Sequence, residues 1–229
     1  CYKMNPGKNY NNIIETLVSI FTVFDGELKV LLLKKQTEPY KGYWVLPGEL
    51  VKCDETLEDS VTDAILEKTG LSSVYLEQAN SFSSLNRNPE GRVIAFSFIA
   101  LTDSVTVNLK RNINEDYETS WFSIDSIPKM GYDHDVILEK AINLLKNKLS
   151  DYTFLKYLFP SDFTLPELQS VCEQLMRIKM DRRNFRKKIL NSELIESTGD
   201  KNEGLMGRPA NLYRFKIDNN NINTFSESA

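Results

Sequence analysis

The sequence predicts an α/β chain: a layered domain of strands and helices, followed by a small helix-turn-helix module that ends in a hairpin. Three observations predict it. An apolar, β-rich run from Thr16 to Phe24 meets a second, Leu28 to Lys34, across Asp25-Gly26, a pair that favours a tight hairpin turn. Strand-like and helix-like periodicities then alternate as far as about residue 150. Beyond that point, two short helical patterns with capping residues precede two strand patterns around Gly204, Gly207 and Pro209.

Taken in order, the loop holding Pro39 and Gly42 leads to Trp44-Val45-Leu46-Pro47-Gly48 and then to a helix over Leu57 to Thr69. In it Leu57, Val61, Ala64, Ile65 and Leu66 sit mainly at helical spacing, and Gly70 supplies the stop. Val93 to Leu101 (VIAFSFIAL) and Trp121 to Ile124 read as further strands. Val136 to Leu149 reads as a helix with Ile137, Ala141, Leu144 and Leu145 along one face and Asp133 placed to cap it. In Thr164-Leu165-Pro166-Glu167 a Thr stands three residues before a Glu with Pro in the first turn, which satisfies the free amides of a helix start. Leu165, Leu168, Cys172 and Leu175 then share one face, so Cys172 is expected in a core. Asp181 caps a second helix running to about Leu190, and Leu194 to Thr198 pairs with Leu212 to Phe215 as a wing. The expected division is an α/β domain over 1–150, a winged helix-turn-helix over 151–218 and a polar tail over 219–229.

A length of 229 residues suits two domains, and 41% hydrophobic with 26% charged residues suits ordinary soluble ones. No apolar run is long enough to cross a bilayer, and the start CYKMNPGKNYNN has no signal pattern, so a cytoplasmic location and no membrane partner are expected. Cys1, Cys53 and Cys172 are odd in number and far apart, which argues for free thiols rather than a disulfide framework or a zinc site. The formal charge of -4 is unevenly spread: Arg177 to Lys188 holds seven basic residues against one acidic, a local +6, so the rest carries −10. That polarity permits an anionic partner at one place on an acidic chain.

The segment LPGELVKCDETLEDSVTDAILEKTGL, Leu46 to Leu71, resembles the Nudix box, and the strand-loop-helix pattern fits that motif. Aligned on Gly70, the residues Glu55, Ile65, Glu67, Gly70 and Leu71 match it. Glu49 stands where the box has its first glycine, Asp63 where it has arginine, Ala64 where it has the first glutamate of the metal-binding helix, and Lys68 where it has the last. The resemblance implies a Nudix-type α/β/α sandwich with a mixed sheet. In that family, helix carboxylates hold divalent cations against a pyrophosphate. Here Ala64 offers no ligand and Lys68 puts a positive charge where a cation would sit, so the box reads as vestigial, with Glu55, Asp63 and Glu67 as its remnant. Asp63 and Glu67, one turn apart, or Asp59 leave a weak metal site open, but Asp59 is expected on a solvated helix face. No metal is expected, and Mg²⁺ enters only if hydrolysis persists.

Ser81 to Arg92 (SFSSLNRNPEGR) carries Arg87 and Arg92 in a loop leading into a strand, and arginine forks suit phosphate or carboxylate oxygens. The RxPxGR spacing is similar to that of Nudix-related transcriptional regulators, the NrtR family, which implies a ligand site made by Arg87, Arg92 and Glu67. Glu115 and Glu118 are left to a solvated loop. His134 is the one histidine, which rules out a histidine-based triad or multi-histidine metal site; at the start of its helix a structural or hinge role is expected of it, with ligand contact as the alternative. In Asp181-Arg182-Arg183-Asn184-Phe185-Arg186-Lys187-Lys188-Ile189, the apolar Phe185 and Ile189 lie one turn apart. Arg183, Asn184, Lys187 and Lys188 cluster opposite, and Arg182 and Arg186 flank them. Such a helix can pack on its predecessor and lay its basic face in a major groove, with Arg183 and Asn184 as base readers and Arg208 at the wing reaching the backbone or minor groove.

The resemblance to the NrtR family extends through FTLPELQ, RRNFRKKI and GRPANLYRF. It implies a bacterial regulator that binds a palindromic operator as a homodimer and senses either ADP-ribose or another NAD-related nucleotide, or a pentose such as arabinose. A Nudix hydrolase acting on a nucleoside diphosphate derivative is the rival reading, and a nucleotide-binding module that docks on a protein is a third.

Overall fold

The computed structural model of the chain describes residues 12–71, 74–103, 117–150, 152–159, 161–202 and 209–216. Arg208, Glu115, Gly204, Gly207 and the tail lie outside the described residues. The first two strands, β1 (Ile13–Phe24) and β2 (Glu27–Lys35), form the expected hairpin on Asp25-Gly26, both with positive φ. Two short strands, β3 (Trp44–Val45) and β4 (Gly48–Leu50), pair with β2 and β1 respectively. Helix α1 (Leu57–Thr69) starts on a Thr56–Asp59 capping box and stops at Gly70 with φ of 74°. Strands β5 (Tyr75–Phe82), β6 (Val93–Leu101) and β7 (Tyr117–Ser123) complete a seven-stranded sheet before α2 (His134–Lys148).

The sheet is mixed, because β1 runs parallel to β6, with Leu17 opposite Ser97, while its other pairings are antiparallel. Alternation along β1 and β2 gives each sheet face its own core. Val18, Ile20 and Leu31 pack with Val61 and Ile65 of α1 on one face. Leu17, Phe21, Val30 and Leu32 belong to a second core with Ile137, Ala141 and Leu145 of α2.

That second core does not stop at the end of α2. It runs on through a short 3₁₀ turn (Thr153–Tyr157) into α3 (Leu165–Met176) and α4 (Arg182–Asn191), taking in Leu168, Cys172, Phe185 and Ile189. The small antiparallel sheet of β8 (Phe163–Thr164), β9 (Ile195–Lys201) and β10 (Asn211–Phe215), in the order β8-β10-β9, completes the winged helix-turn-helix. Polar contacts pin the module to the hairpin. The Leu28 amide donates to Gln174 Oε1 at 2.7 Å, and Gln174 Nε2 donates to Asp125 at 3.1 Å. Tyr75 of β5 stacks on Tyr157 with ring centroids 4.1 Å apart.

Asp133 occupies the N-cap position of α2 but makes no side-chain cap, contrary to expectation, because its carboxylate is taken by an arginine. Gly48 is fixed by sterics: a Cβ there would lie 2.2 Å from the Thr16 carbonyl oxygen and 2.6 Å from a Leu17 methyl. Only glycine lets β4 approach β1 this closely, and β4 forms one wall of the cleft described below. Gly48→Ala is expected to lower stability by about 1–3 kcal/mol, read as an earlier urea transition, through overpacking at that strand crossing.

Candidate functional site

A cleft of about 460 Å³ opens where β1, β4, the end of α1 and the first turn of α2 meet, with Glu15, Lys35, Glu49, Lys68, Tyr132 and His134 on its walls. Glu15 reaches it because β1 alternates: Ile13, Glu15 and Leu17 face the cleft, whereas Thr16 turns to α1 and meets the Ser60 hydroxyl at 3.1 Å. Lys35 donates to the Tyr132 hydroxyl at 3.0 Å. The buried His134 ring accepts the Leu46 amide on Nδ1 at 3.0 Å, which places its proton on Nε2, and the ring stacks on Tyr132. Burial, with Arg87 and Lys35 nearby, pushes the His134 pKa down to about 3, so the ring is neutral at physiological pH. His134 therefore has the structural role expected of it, tying the 44–48 strap to α2, and it also lines the cleft.

The remnant box carboxylates gather about a cation outside the cleft: Lys52 bonds Glu55 and lies within electrostatic reach of Asp63 and Glu67. Asp63 and Glu67 are exposed, and neither lines the cleft. Glu55 is occupied by Lys52, accepting its amide at 2.7 Å and its ammonium at 3.3 Å. Asp59, expected to be merely solvated, accepts the Thr56 amide and hydroxyl as part of the helix cap. Ala64 is buried. Helix phase turns Lys68 inward instead; its ammonium lies 2.9 Å from Glu49 Oε2 and also donates to the Gly48 carbonyl. Burial pushes the Glu49 carboxyl up, but the Lys68 hydrogen bond and charge outweigh it and hold the group below its ordinary value. Among the described residues no three His, Cys, Asp or Glu side chains are grouped to hold a metal ion. The donor set that a Nudix metal requires does not match the residues present.

Arg87 and Arg92 depart from the fork expected of them. The Arg87 side chain is 2% exposed and spends its donors inside the protein, two on Asp133 at 2.9 and 3.1 Å and one on Glu15 at 3.3 Å. A guanidinium already met by two carboxylates is a strut rather than an open anion site. Burial pushes the Glu15 carboxyl up, and Arg87 offsets only part of that rise. Arg92, half-buried, donates to the Ser83 and Ser84 carbonyls and ties the loop to its own strand.

On the winged module, Asp181 accepts the Asn184 amide at 2.9 Å and starts α4, while the buried Phe185 and Ile189 seat it. Arg182, Arg183, Asn184, Arg186, Lys187 and Lys188 are all exposed. They do not all face one way. Lys188 lies over the Tyr152 ring at 5.2 Å, and Arg186 approaches the Tyr213 hydroxyl at 3.5 Å. Arg183 and Lys187, one turn apart opposite the buried pair, form the outward ridge with Asn184 beside them. Leu190, 37% exposed, continues that ridge and was not singled out in the sequence. The sequence reading also passed over Glu15, Lys35, Lys68 and Tyr132 as cleft walls; a lone glutamate within the apolar alternation of β1 was the available signal.

These features define a class: an α/β domain with a polar cleft, sharing one core with a helix-turn-helix that carries a basic outer ridge. Family models agree, with the NUDIX domain matching residues 15–141 and the NrtR DNA-binding winged helix domain matching residues 156–215. The chain is 33% identical to the ADPR responsive transcriptional repressor NtrR of Acinetobacter baylyi, over 90% of this chain and 83% of that one. The crystal structure of Shewanella oneidensis NrtR complexed with a 27mer DNA is similar with a TM-score of 0.72 and 30% identity, over 89% of this chain and 93% of that one. The NUDIX domain of the same NrtR complexed with ADP ribose is similar with a TM-score of 0.54 and 26% identity, over 63% of this chain and 94% of that one. The chain belongs to the family of NUDIX-domain transcriptional regulators that carry the NrtR DNA-binding winged helix, and the expected Nudix-type sandwich followed by a winged helix-turn-helix is its fold.

The buried neutral His134 has a pH signature. Its folded pKa lies below the ordinary value of 6.5, so its contribution is complete above pH 6.5 and is lost as pH falls toward 3. His134→Asn keeps an acceptor near the Nδ1 position and removes the titration. Urea titrations at pH 7 and pH 5 are expected to show the wild type losing about 2 kcal/mol more than the variant over that interval.

Proposed function

We propose that the chain is an operator-binding regulator that acts as a homodimer and responds to ADP-ribose, or a closely related NAD-derived nucleotide, bound in the 460 Å³ cleft. The carrying observation is the pairing of a polar cleft, whose helix carboxylates point away from it, with an exposed basic ridge on α4 in one continuous core. Lys35 and Lys68 stand on the lining among Glu15, Glu49 and Glu90, a polar set that suits a ligand rich in hydroxyls and phosphates. The names of the relatives, which refer to ADPR and ADP ribose, support the same choice. We assign sensing to the α/β part up to about residue 150 and DNA contact to the rest, in the bacterial cytoplasm where the operator resides. One short helix reads only a few base pairs, so two copies on a palindrome provide the specificity.

Arg183, Asn184 and Lys187 are the proposed groove contacts, with Arg182, Arg186, Lys188 and Arg208 supporting them on the backbone. A ligand alters DNA binding only through different affinities for the competent and incompetent arrangements. The path for that difference runs along α2, whose first turn lines the cleft and whose last turns join the core of α3. The hydrolase alternative has little support from a box whose Asp63 and Glu67 face solvent.

Gel shifts on the upstream fragment of its own locus test the reading. The wild type is expected to bind with steep salt dependence, and Arg183→Ala with Lys187→Ala to weaken binding roughly 10-fold or more. ADP-ribose is expected to shift the wild-type titration where arabinose does not. Retained binding by the double variant, or indifference to ADP-ribose, would overturn the corresponding half of the proposal.

A further inference from the structure

Two side chains of α3 hold the turn that leads into α4. Glu173 Oε1 accepts the Met180 amide at 2.9 Å, and Gln169 Nε2 donates to the Met180 carbonyl at 2.9 Å, so both backbone polar groups of Met180 are met from α3. Gln169 Nε2 also donates to Glu173 Oε1 at 2.8 Å, which ties the two side chains together. Glu173 Oε2 takes the Lys179 ammonium at 2.9 Å. The Met180 amide, Lys179 and Gln169 pull the Glu173 carboxyl down to about 2, so it is ionised at physiological pH.

Met180 is followed directly by Asp181, the cap of α4, which in turn takes the Asn184 amide. The bonds therefore run from α3 through Met180 and Asp181 into the first turn of α4, where Arg183 and Asn184 stand. The turn needs such a hold, because Arg177 at its start has a φ of 55°, a left-handed conformation that a residue with a Cβ disfavours. On charge alone the position is a poor one for an acid. Arg177 to Lys188 holds seven basic residues, and a carboxylate at the edge of that segment repels the phosphates they attract.

We propose that Glu173 is a positioning residue for operator recognition: from outside the DNA interface, its hold on Met180 sets the direction in which α4 presents Arg183 and Asn184 to base edges. The proposal rests on the operator-binding reading above and deepens it, assigning sequence discrimination, rather than general affinity, to a side chain of α3. Base-edge hydrogen bonds demand close placement, whereas the attraction of long cationic side chains to phosphates varies slowly with position. The Lys179 side chain is 94% exposed, so its ion pair contributes little. The hold on Met180 falls to Oε1 as an acceptor, a role that an amide oxygen can also fill.

Charge and positioning predict opposite signs, which makes the test sharp. Gel-shift titrations of the full chain compare the upstream fragment of its own locus with an unrelated duplex of equal length, for the wild type, Glu173→Ala and Glu173→Gln. Glu173→Ala is expected to bind the operator roughly 10-fold more weakly, while its binding of the unrelated duplex stays within about 2-fold of the wild type or tightens. Glu173→Gln is expected to recover most of the operator affinity. Thermal melts identify a variant that fails to fold; Gln169→Ala, which removes the other side chain on Met180, then takes the place of Glu173→Ala with the same expected loss of discrimination. Operator binding by Glu173→Ala as tight as that of the wild type, or an equal loss on both duplexes, would overturn the role of Glu173 and leave operator binding in place. A wild type that does not prefer the operator to the unrelated duplex would overturn both.

Discussion

A guanidinium excluded from water has to be met by carboxylates, and the two that meet Arg87 come from different parts of the regulator. Glu15 stands on the strand that floors the cleft, and Asp133 immediately precedes the helix that runs from the cleft to the DNA-binding module. Removing Arg87 would leave Glu15 and Asp133 without their shared counter-charge, at a cost of roughly 3–5 kcal/mol, so the guanidinium holds the two carboxylates together. This places an electrostatic strut between the floor of the cleft and the first turn of α2. His134, the next residue, adds a second tie by holding the Leu46 amide of the strap that closes the cleft. Rearrangement at Glu15 or at the strap therefore reaches α2 directly.

From α2 onward the connection is packing rather than charge. A single core passes from Ile137 and Leu145 through Leu155 to Leu168, Cys172 and Phe185, so α4 is seated on the same apolar body that supports the large sheet. Close-packed cores do not deform smoothly, and small shifts at one end appear as discrete displacements at the other. The Gln174 bridge to Leu28 and Asp125 gives the junction a polar registration point beside that core.

Much of this was legible in the sequence. The bounds of α1 follow from Thr56, the helical spacing and Gly70; α4 follows from Asp181 and the Phe185–Ile189 pair; the hairpin follows from Asp25-Gly26. β5 escaped notice because Glu77, Gln78, Asn80 and Ser81 make it a polar edge strand, paired among the described residues with β6 and interrupted by a bulge. The cleft was harder still. Arg87 looked like an open fork because its partners lie 72 and 46 residues away in the chain, and no local pattern announces such pairs. The loss of the box carboxylates could be counted in the sequence, but that helix phase brings Lys68 to Glu49 is a property of the folded α1 against β4.

On the proposed function, the cleft and α4 are joined through α2 and one core, so ligand and DNA binding are expected to be linked, and linkage is reciprocal: each changes the other's affinity by the same factor. The most direct measurement is the affinity of the full chain for ADP-ribose with and without a saturating operator fragment. Coupling through α2 predicts that the two affinities differ, by the factor with which ADP-ribose shifts operator binding. Equal ADP-ribose affinity in the presence and absence of bound operator would contradict it.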